Sequence, residues 1–237
     1  MSLSYGDIPG AFDAGAPAYD SLVGANPGYH SHLRLSAQRM RLPGQGEGLR
    51  LLDAGCGTGA STAALVAVAP KAEIVAVDAS SGMLAQATAK PWPSTVRFVE
   101  CRVEELTDAG VSGPFDGILA AYLMRNLADR DGQLRRFRAL LRPGGTLAVH
   151  EYSVRDSRLA TIVWNTVCAT VIIPSGRLRS GDAGLYRYLR RSVNRFDGAA
   201  AFRDRLRANG FSVVRSETMP GWQRNVVHTF LGQAPDD

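Results

Sequence analysis

From Leu49 onward the chain alternates short apolar runs with Ala-rich or amphipathic stretches, a rhythm that predicts a βαβα order. Strands are predicted at Leu49–Leu52, Glu73–Val77, Thr95–Glu100, Phe115–Ala121 and Thr146–Glu151. Helices are predicted between them, over residues 60–68, 81–89, 103–108 and 133–141, the last closed by Arg142-Pro143-Gly144-Gly145. Strands separated by helices run parallel, so a doubly wound sheet is expected. Ahead of this core lies a polar, Gly-rich lead, then a helix from about Asn26 to Arg41 that Pro43-Gly44 stops.

The rhythm breaks after Tyr152. A helical insertion is predicted over residues 156–196, with a corner at Pro174-Ser175-Gly176. A helix over 198–209 ends at Asn209-Gly210, a C-cap pair. Phe211–Thr218 and Asn225–Gln233 follow as β-rich runs with no room for a helix between them, so they pair antiparallel. The expected fold is α/β and Rossmann-like: a mostly parallel seven-stranded sheet ending in an antiparallel hairpin, with a helical cap insertion. One domain is expected over 1–237. It divides into an N-terminal helical lid (1–45), a core (46–155), a cap (156–197) and a C-terminal helix and hairpin (198–237).

Composition supports this plan and narrows the setting. A chain of 237 residues with 45% hydrophobic content can bury one such core. No apolar run reaches the ~18 residues of a membrane span; Ala160 to Pro174 comes nearest and is interrupted by Asn165, Thr166 and Thr170. The N-terminus shows no basic segment followed by an apolar core, so no secretory leader is read. Cys56, Cys101 and Cys168 are odd in number and scattered, which fits reduced thiols in the cytoplasm and matches no zinc spacing. The net charge of +5 is uneven: residues 151–210 hold 11 Arg against 5 acidic residues. That stretch is either a solvated helix face or an address for an anionic partner such as a phospholipid headgroup or nucleic acid.

Candidate chemistry gathers at strand ends, where an open α/β sheet binds its ligand. Gly55-x-Gly57-x-Gly59, with Asp53 two residues ahead, joins the first strand to its helix, and Asp78 ends the second strand. A Gly-rich turn of this kind brings bare backbone and free N–H groups to a ligand. The spacing is not that of a dinucleotide fingerprint. It resembles motif I of the class I S-adenosylmethionine (SAM) methyltransferases. The resemblance implies that Gly55, Gly57 and Gly59 contact the methionine portion, while Asp53 orders the turn and faces the ammonium group. It also implies that Asp78 accepts the ribose hydroxyls and Met83 packs on adenine. Where related enzymes usually carry an acceptor for the adenine amino group, this chain has Arg102-Val103. Arg102 cannot accept, so adenine reading falls to backbone groups near Val103 or to a neighbouring side chain. Tyr19 and Ala121 complete the expected cofactor contacts. No metal is expected.

The next strand end is more specific. Ala121-Tyr122-Leu123-Met124-Arg125-Asn126-Leu127 continues through Asp129 to Arg142-Pro143-Gly144-Gly145. This segment resembles the UbiE-type ubiquinone/menaquinone biosynthesis C-methyltransferase family, which carries a similar Leu-Arg-Asn-x-x-Asp run. Phe12-Asp13, Ala16-Pro17-x-Tyr19-Asp20, Glu151-Tyr152-Ser153, Gly181-Asp182-Ala183, Tyr186-Arg187-Tyr188-Leu189 and Ser192-Val193-x-Arg195-Phe196 extend the likeness, as do Gly221 and His228. It covers nearly the whole chain.

Methylating an aromatic carbon requires an ionised or nearly ionised phenol in line with the sulfonium carbon. Arg125 stays protonated, so it would stabilise a phenolate or hold a water that takes the ring proton. Asn126 would bond both cofactor and substrate. A base, if needed, is His150, His228 or Glu151, and the resemblance reaches His228. His30 and His32 lie on the helix expected to lid the cofactor. Apolar residues from Trp164 to Leu189, Leu178 among them, would wall a pocket for a ring with a prenyl tail. Beside them Arg177, Arg179, Arg190 and Arg191 suit peripheral contact with an anionic inner-membrane surface.

The expected function is therefore SAM-dependent C-methylation of a quinol or quinol-like phenol of the demethylmenaquinone/ubiquinone-precursor type. The alternative is methylation of a soluble phenolic or natural product. Nucleic-acid methylation rests on basicity alone, without a Pro-Pro motif after the fourth strand or a Pro-Cys nucleophile. A SAM-binding protein without transfer is a further reading.

Overall fold

The computed structural model describes residues 10, 13, 16, 19–21, 23, 24, 26–180 and 184–236, without the side chains of 178–180. Phe12, Pro17, Gly181, Asp182, Ala183 and the side chains of Leu178 and Arg179 therefore lie outside the described residues.

A seven-stranded sheet organises the molecule in the order β3-β2-β1-β4-β5-β7-β6. Its strands are β1 (Arg50–Ala54), β2 (Glu73–Asp78), β3 (Val96–Glu100), β4 (Phe115–Ala121), β5 (Leu141–Tyr152), β6 (Ser212–Thr218) and β7 (Val227–Gln233). The first five pair parallel, and β7 runs antiparallel to both β5 and β6. β1, β2 and β4 are near-continuous apolar runs because helices cover both their faces. Helices α1 (Tyr29–Arg39), α2 (Ala60–Val68), α3 (Ser81–Thr88) and α4 (Arg130–Leu140) accompany the first half. The second half carries α5 (Arg158–Val167), α6 (Ile173–Ser180), α7 (Gly184–Arg195) and α8 (Ala199–Ala208).

Local chemistry sets the boundaries. Ser80 caps α3 by accepting from Met83 N at 3.1 Å, and Asp129 caps α4 by accepting from Gly132 N at 2.8 Å. Gly59 begins α2 at φ +91°, and a Cβ there would lie 2.7 Å from the Trp92 ring, so only glycine fits this turn.

Four expectations need correction. Residues 103–108 form successive turns instead of a helix, anchored by buried Val103 and Leu106. Arg142–Gly145 does not leave the sheet: Gly144 N donates to Ala234 O at 3.0 Å and Ala234 N to Gly145 O at 2.9 Å, so β5 starts at Leu141. Pro174-Ser175-Gly176 makes no corner. A π-helical turn at Cys168–Ile172 precedes it, and the helix runs on through Pro174. In consequence Arg158–Arg177 is one continuous helix of 20 residues, long and apolar enough by length and composition to cross a membrane. Buried Ala160, Trp164 and Cys168 tie its inner side to the core.

Candidate functional site

The carboxyl ends of β1, β2 and β4 surround a cavity of about 180 Å3. Gly55, Gly57, Asp78, Met83, Arg102, Val103 and Ala121 line it, and Tyr19, Tyr29 and Leu33 close it from the N-terminal side. The lid is held by two carboxylates. Asp13 Oδ1 accepts from Ser80 Oγ at 2.5 Å and Gly82 N at 2.9 Å. Asp20 accepts from Thr58 Oγ1 at 2.5 Å and pairs with Lys90 at 2.6 Å. Both residues entered the sequence reading only through the family likeness, because nothing local distinguishes a latch carboxylate from a solvated one.

Asp78 sits against this turn. Its Oδ2 accepts from Gly57 N at 2.7 Å and its Oδ1 from Ser80 N at 2.9 Å. Burial raises its pKa, and the amides of Ser80 and Gly57 act against that rise. Each carboxylate oxygen keeps a lone pair for a ligand hydroxyl. A Cβ on Gly57 would meet nothing within 4 Å, so the turn leaves bare backbone with open space beside it. An acceptor carboxylate, exposed backbone and the apolar sides of Met83 and Val103 fit the ribose, methionine and adenine portions of SAM.

Asp53 and Gly59 do not line the cavity. Asp53 lies fully buried beneath the turn, where its Oδ2 accepts from Ser61 Oγ at 2.8 Å and Thr62 Oγ1 at 2.6 Å, and Oδ1 has no partner. Burial pushes its pKa up to about 7, with Thr62 and Ser61 pulling the other way. From β1 its side chain ties the strand to the start of α2, two residues before the open backbone of the turn.

A second cavity, about 330 Å3 and largely apolar, meets the first across Tyr19, Tyr29, Tyr122 and Arg125. Its far wall is the cap: Val167, Val171, Ile172, Leu185, Tyr188 and Leu189. Trp164 is fully buried against Tyr152, with ring centroids 4.6 Å apart, and belongs to the core instead. Ile173 lines a separate groove with Arg187, Arg190 and Arg191.

Arg125 stands at the seam. Its Nη1 donates to Glu151 Oε1 and to Tyr122 O, both at 2.7 Å, and its buried Nε has no partner. Burial works against its charge, but Glu151, Tyr152 and Tyr19 together hold its pKa above the usual value. Asn126 Nδ2 donates to Tyr122 O at 3.2 Å, and its Oδ1 accepts from Tyr188 Oη at 3.0 Å, which joins the cap to the seam. Burial raises the pKa of Tyr19, Tyr29, Tyr122 and Tyr152, so all four remain protonated hydroxyls.

The histidines distribute differently from expectation. His228 lines neither cavity; it lies on β7 opposite Glu151 and stacks on Phe230 at 5.6 Å. The register puts His228 on the same sheet face as Glu151, yet only the carboxylate reaches Arg125. His32 is buried against Gln223 Oε1 at 2.6 Å, and His30 is exposed. His150 is buried beside Tyr122, with its Nε2 2.9 Å from the Tyr122 hydroxyl. Tyr122 itself was missed by the sequence reading, although a tyrosine directly after a central strand was available as a signal.

The profile of the ubiE/COQ5 methyltransferase family matches residues 8–228. A ubiquinone/menaquinone biosynthesis C-methyltransferase UbiE of Syntrophotalea carbinolica is 34% identical over 214 residues, 89% of this chain and 88% of that one. A demethylmenaquinone methyltransferase of Thermus thermophilus is 34% identical over 200 residues, 84% of this chain and 90% of that one. Among solved structures, the cyclase SpnF superposes with a TM-score of 0.72 at 18% identity, covering 100% of this chain and 98% of that one. Haemonchus contortus phosphoethanolamine N-methyltransferase 2, in complex with S-adenosylhomocysteine, gives 0.66 at 17% identity over 98% of this chain and 60% of that one. Fold and sequence together define a SAM-dependent methyltransferase. The chain belongs to the ubiE/COQ5 methyltransferase family.

Proposed function

We propose that the protein methylates a ring carbon of a quinol or quinol-like phenol bearing an isoprenoid tail. The observation that carries this reading is the apolar cavity joined to the cofactor cavity across Tyr19, Tyr29, Tyr122 and Arg125. A flat ring fits at that seam, with its tail running along Ile172, Leu185 and Leu189. Val171 lines the cavity yet is 54% exposed, so the cap wall is also a rim through which a tail can leave. In this reading residues 1–45 are the lid and 156–197 the selective cap of a single domain.

SAM, when bound, supplies an electrophilic methyl whose bonding pair stays on sulfur as the ring carbon takes the methyl, and the displaced ring proton leaves to water. The chain provides the setting. Gly55 and Gly57 offer backbone to the methionine portion, Asp78 holds the ribose, and Met83 and Val103 flank adenine, with Arg102, Ala121 and Tyr19 at the cavity edge. Asp53 and Gly59 act indirectly by shaping the turn. Arg125 is clamped by Glu151 and Tyr122 O with Nε still to be paired, so it stabilises a phenolate without taking its proton. Asn126 lies between cofactor and acceptor. His228 is not carried forward as a base, since it is outside both cavities.

We also infer that the acceptor is met at an anionic bilayer surface. On the cap, Leu159 is 71% exposed and Ile162 62%. Arg187, Arg191 and Arg195 are exposed on α7 without an acidic partner among the described residues. Exposed apolar side chains and unpaired cations on one cap suit an anionic lipid interface.

A series of quinols differing only in isoprenoid length tests the reading. KM is expected to fall as the tail grows, with kcat little changed. A series in which only tail-free phenols turn over would replace it with a soluble phenol as substrate.

A further inference from the structure

Behind the seam runs a buried chain of side chains that the proposed methyl transfer does not yet use. Arg39 Nη1 lies 2.8 Å from Thr229 Oγ1, Thr229 Oγ1 lies 2.7 Å from Ser36 Oγ, and Ser36 Oγ lies 2.8 Å from His150 Nδ1. His150 Nε2 then lies 2.9 Å from the hydroxyl of Tyr122. Three separate elements, α1, β7 and β5, meet to build it. The antiparallel register sets His150 opposite Thr229, so both side chains share one face of the sheet, beneath α1. Ser36, His150 and Thr229 are all fully buried.

The direction of this chain follows from donor counting. Arg39 has no acceptor, so it must donate to Thr229. The Thr229 hydroxyl then has one proton to place, and Ser36 is its one other partner among the described residues. Left elsewhere, that proton would be buried without an acceptor. Ser36 therefore accepts from Thr229 and donates to His150 Nδ1. Nδ1 is then the acceptor of a neutral imidazole, and Nε2–H donates to Tyr122 Oη. Burial holds the His150 pKa down to about 3, and His32, Arg39, Arg125 and His228 around it act in the same direction, so the ring stays neutral at ordinary pH.

Tyr122 thus receives a hydrogen bond, and its own proton points away from His150, with Tyr152 as its resting partner. It lines both cavities. Its backbone is held at φ +56°, a left-handed conformation that a tyrosine rarely adopts and that packing must maintain. That conformation is secured by Tyr122 N donating to His150 O at 2.7 Å and by Tyr122 O accepting from Arg125 and Asn126. The Tyr122 hydroxyl hydrogen-bonds Tyr152 and so works against the rise that burial imposes on the Tyr152 pKa; Tyr152 also lines the second cavity, where an acceptor oxygen would take its place.

We propose that Tyr122 donates the hydrogen bond that holds the acceptor's ring oxygen, its proton aimed by a one-way donor chain that starts at Arg39. This rests on the phenolic reading of the acceptor. Arg125 and Tyr122 then act on the same oxygen from two sides, one by charge and one by a directed O–H. Arg39, Thr229, Ser36 and His150 are positioning residues, since none of them reaches either cavity. Breaking the chain at Ser36 frees Nδ1 to carry the proton, which leaves Nε2 to accept from Tyr122 and turns the Tyr122 proton away from the acceptor.

Two readouts test this on the full chain. The first is nitrogen NMR of the His150 ring. Wild type should show Nε2–H and a bare Nδ1. Ser36→Ala, which removes the donor to Nδ1, should shift part of the ring toward Nδ1–H, and Thr229→Val, which leaves Ser36 its donor role, should keep the wild-type signal. A wild-type ring carrying Nδ1–H overturns the proposal. The second is the phenolate absorbance of 4-nitrophenol bound with S-adenosylhomocysteine. Tyr122→Phe should reduce the acid dissociation constant of the bound phenol about tenfold, roughly one pKa unit, and Ser36→Ala should give a smaller reduction. Unchanged ionisation in Tyr122→Phe also overturns it. Neither readout requires turnover, so a failed quinol assay with both results as expected would reject the quinol reading and leave the donor chain standing.

Discussion

Arg125 and Glu151 form a 2.7 Å ion pair whose side chains are only 7% and 0% exposed, at the seam between two cavities. Neither partner could be tolerated there alone, because an uncompensated buried charge costs about 3–5 kcal/mol. The pair is thus a fixed cation facing the place where a phenolate would form. Arg125→Lys should retain most of the stability but lower kcat at least about tenfold, because an ammonium cannot reproduce the planar fork that reaches Glu151 and Tyr122 O together. Full turnover in Arg125→Lys, with normal melting, would contradict a specific role for the guanidinium.

Asp78 connects the cofactor cavity to its own loop through Gly57 and Ser80. Removing its carboxylate strands those amides and the proposed ribose hydroxyls. Asp78→Ala should weaken SAM binding by about 1–3 kcal/mol, roughly 5- to 150-fold in Kd by calorimetry. An unchanged Kd would place the ribose elsewhere.

Asp53 offers a pH test with a definite sign. Its folded pKa, about 7, is raised above the ordinary carboxyl value of 3.8. The folded state therefore holds this proton more tightly than the unfolded chain does. The resulting stability is fully present below about pH 4 and is lost as pH rises through 7, with a ceiling of about 4 kcal/mol. Asp53→Asn cannot ionise and still accepts from Ser61 and Thr62. Urea denaturation should show the variant gaining on wild type between pH 4 and pH 8, and two parallel pH profiles would refute the assignment.

The cap surface makes a separate prediction. Wild type should float with vesicles containing phosphatidylglycerol and much less with phosphatidylcholine alone. Leu159→Ser with Ile162→Ser, and independently Arg187→Glu with Arg191→Glu, should each reduce flotation severalfold without changing SAM affinity. Equal flotation on both lipids, or none, would remove the bilayer from the account.

Most of the sheet was legible because strands buried on both faces leave continuous apolar runs, and because Gly, Pro and Asn punctuate their ends. Phe115–Ala121 was read to the residue for that reason. Pro174 was misread because its local preference for a break is absorbed by the preceding π-helical turn, a feature with no sequence signature. Arg142–Gly145 was misread because its strand partners come from the far C-terminus. At the site, residues on strand ends were legible because the topology delivers them all to one edge. Legibility failed for His228: it shares a sheet face with Glu151, yet the carboxylate alone meets Arg125 and the ring lines neither cavity. It failed again for Tyr122, whose importance lies in Ser36 and Thr229, 193 residues apart in the chain.

The central claim is that methyl transfer goes to a ring carbon of a prenylated quinol, and the position of the label decides it. Purified protein would be given methyl-labelled SAM and a prenylated 1,4-naphthoquinol under reducing conditions, and the product examined by NMR. The account predicts the label on a ring carbon, bonded directly to the aromatic ring. A label on the phenolic oxygen, or transfer confined to tail-free phenols, would contradict it.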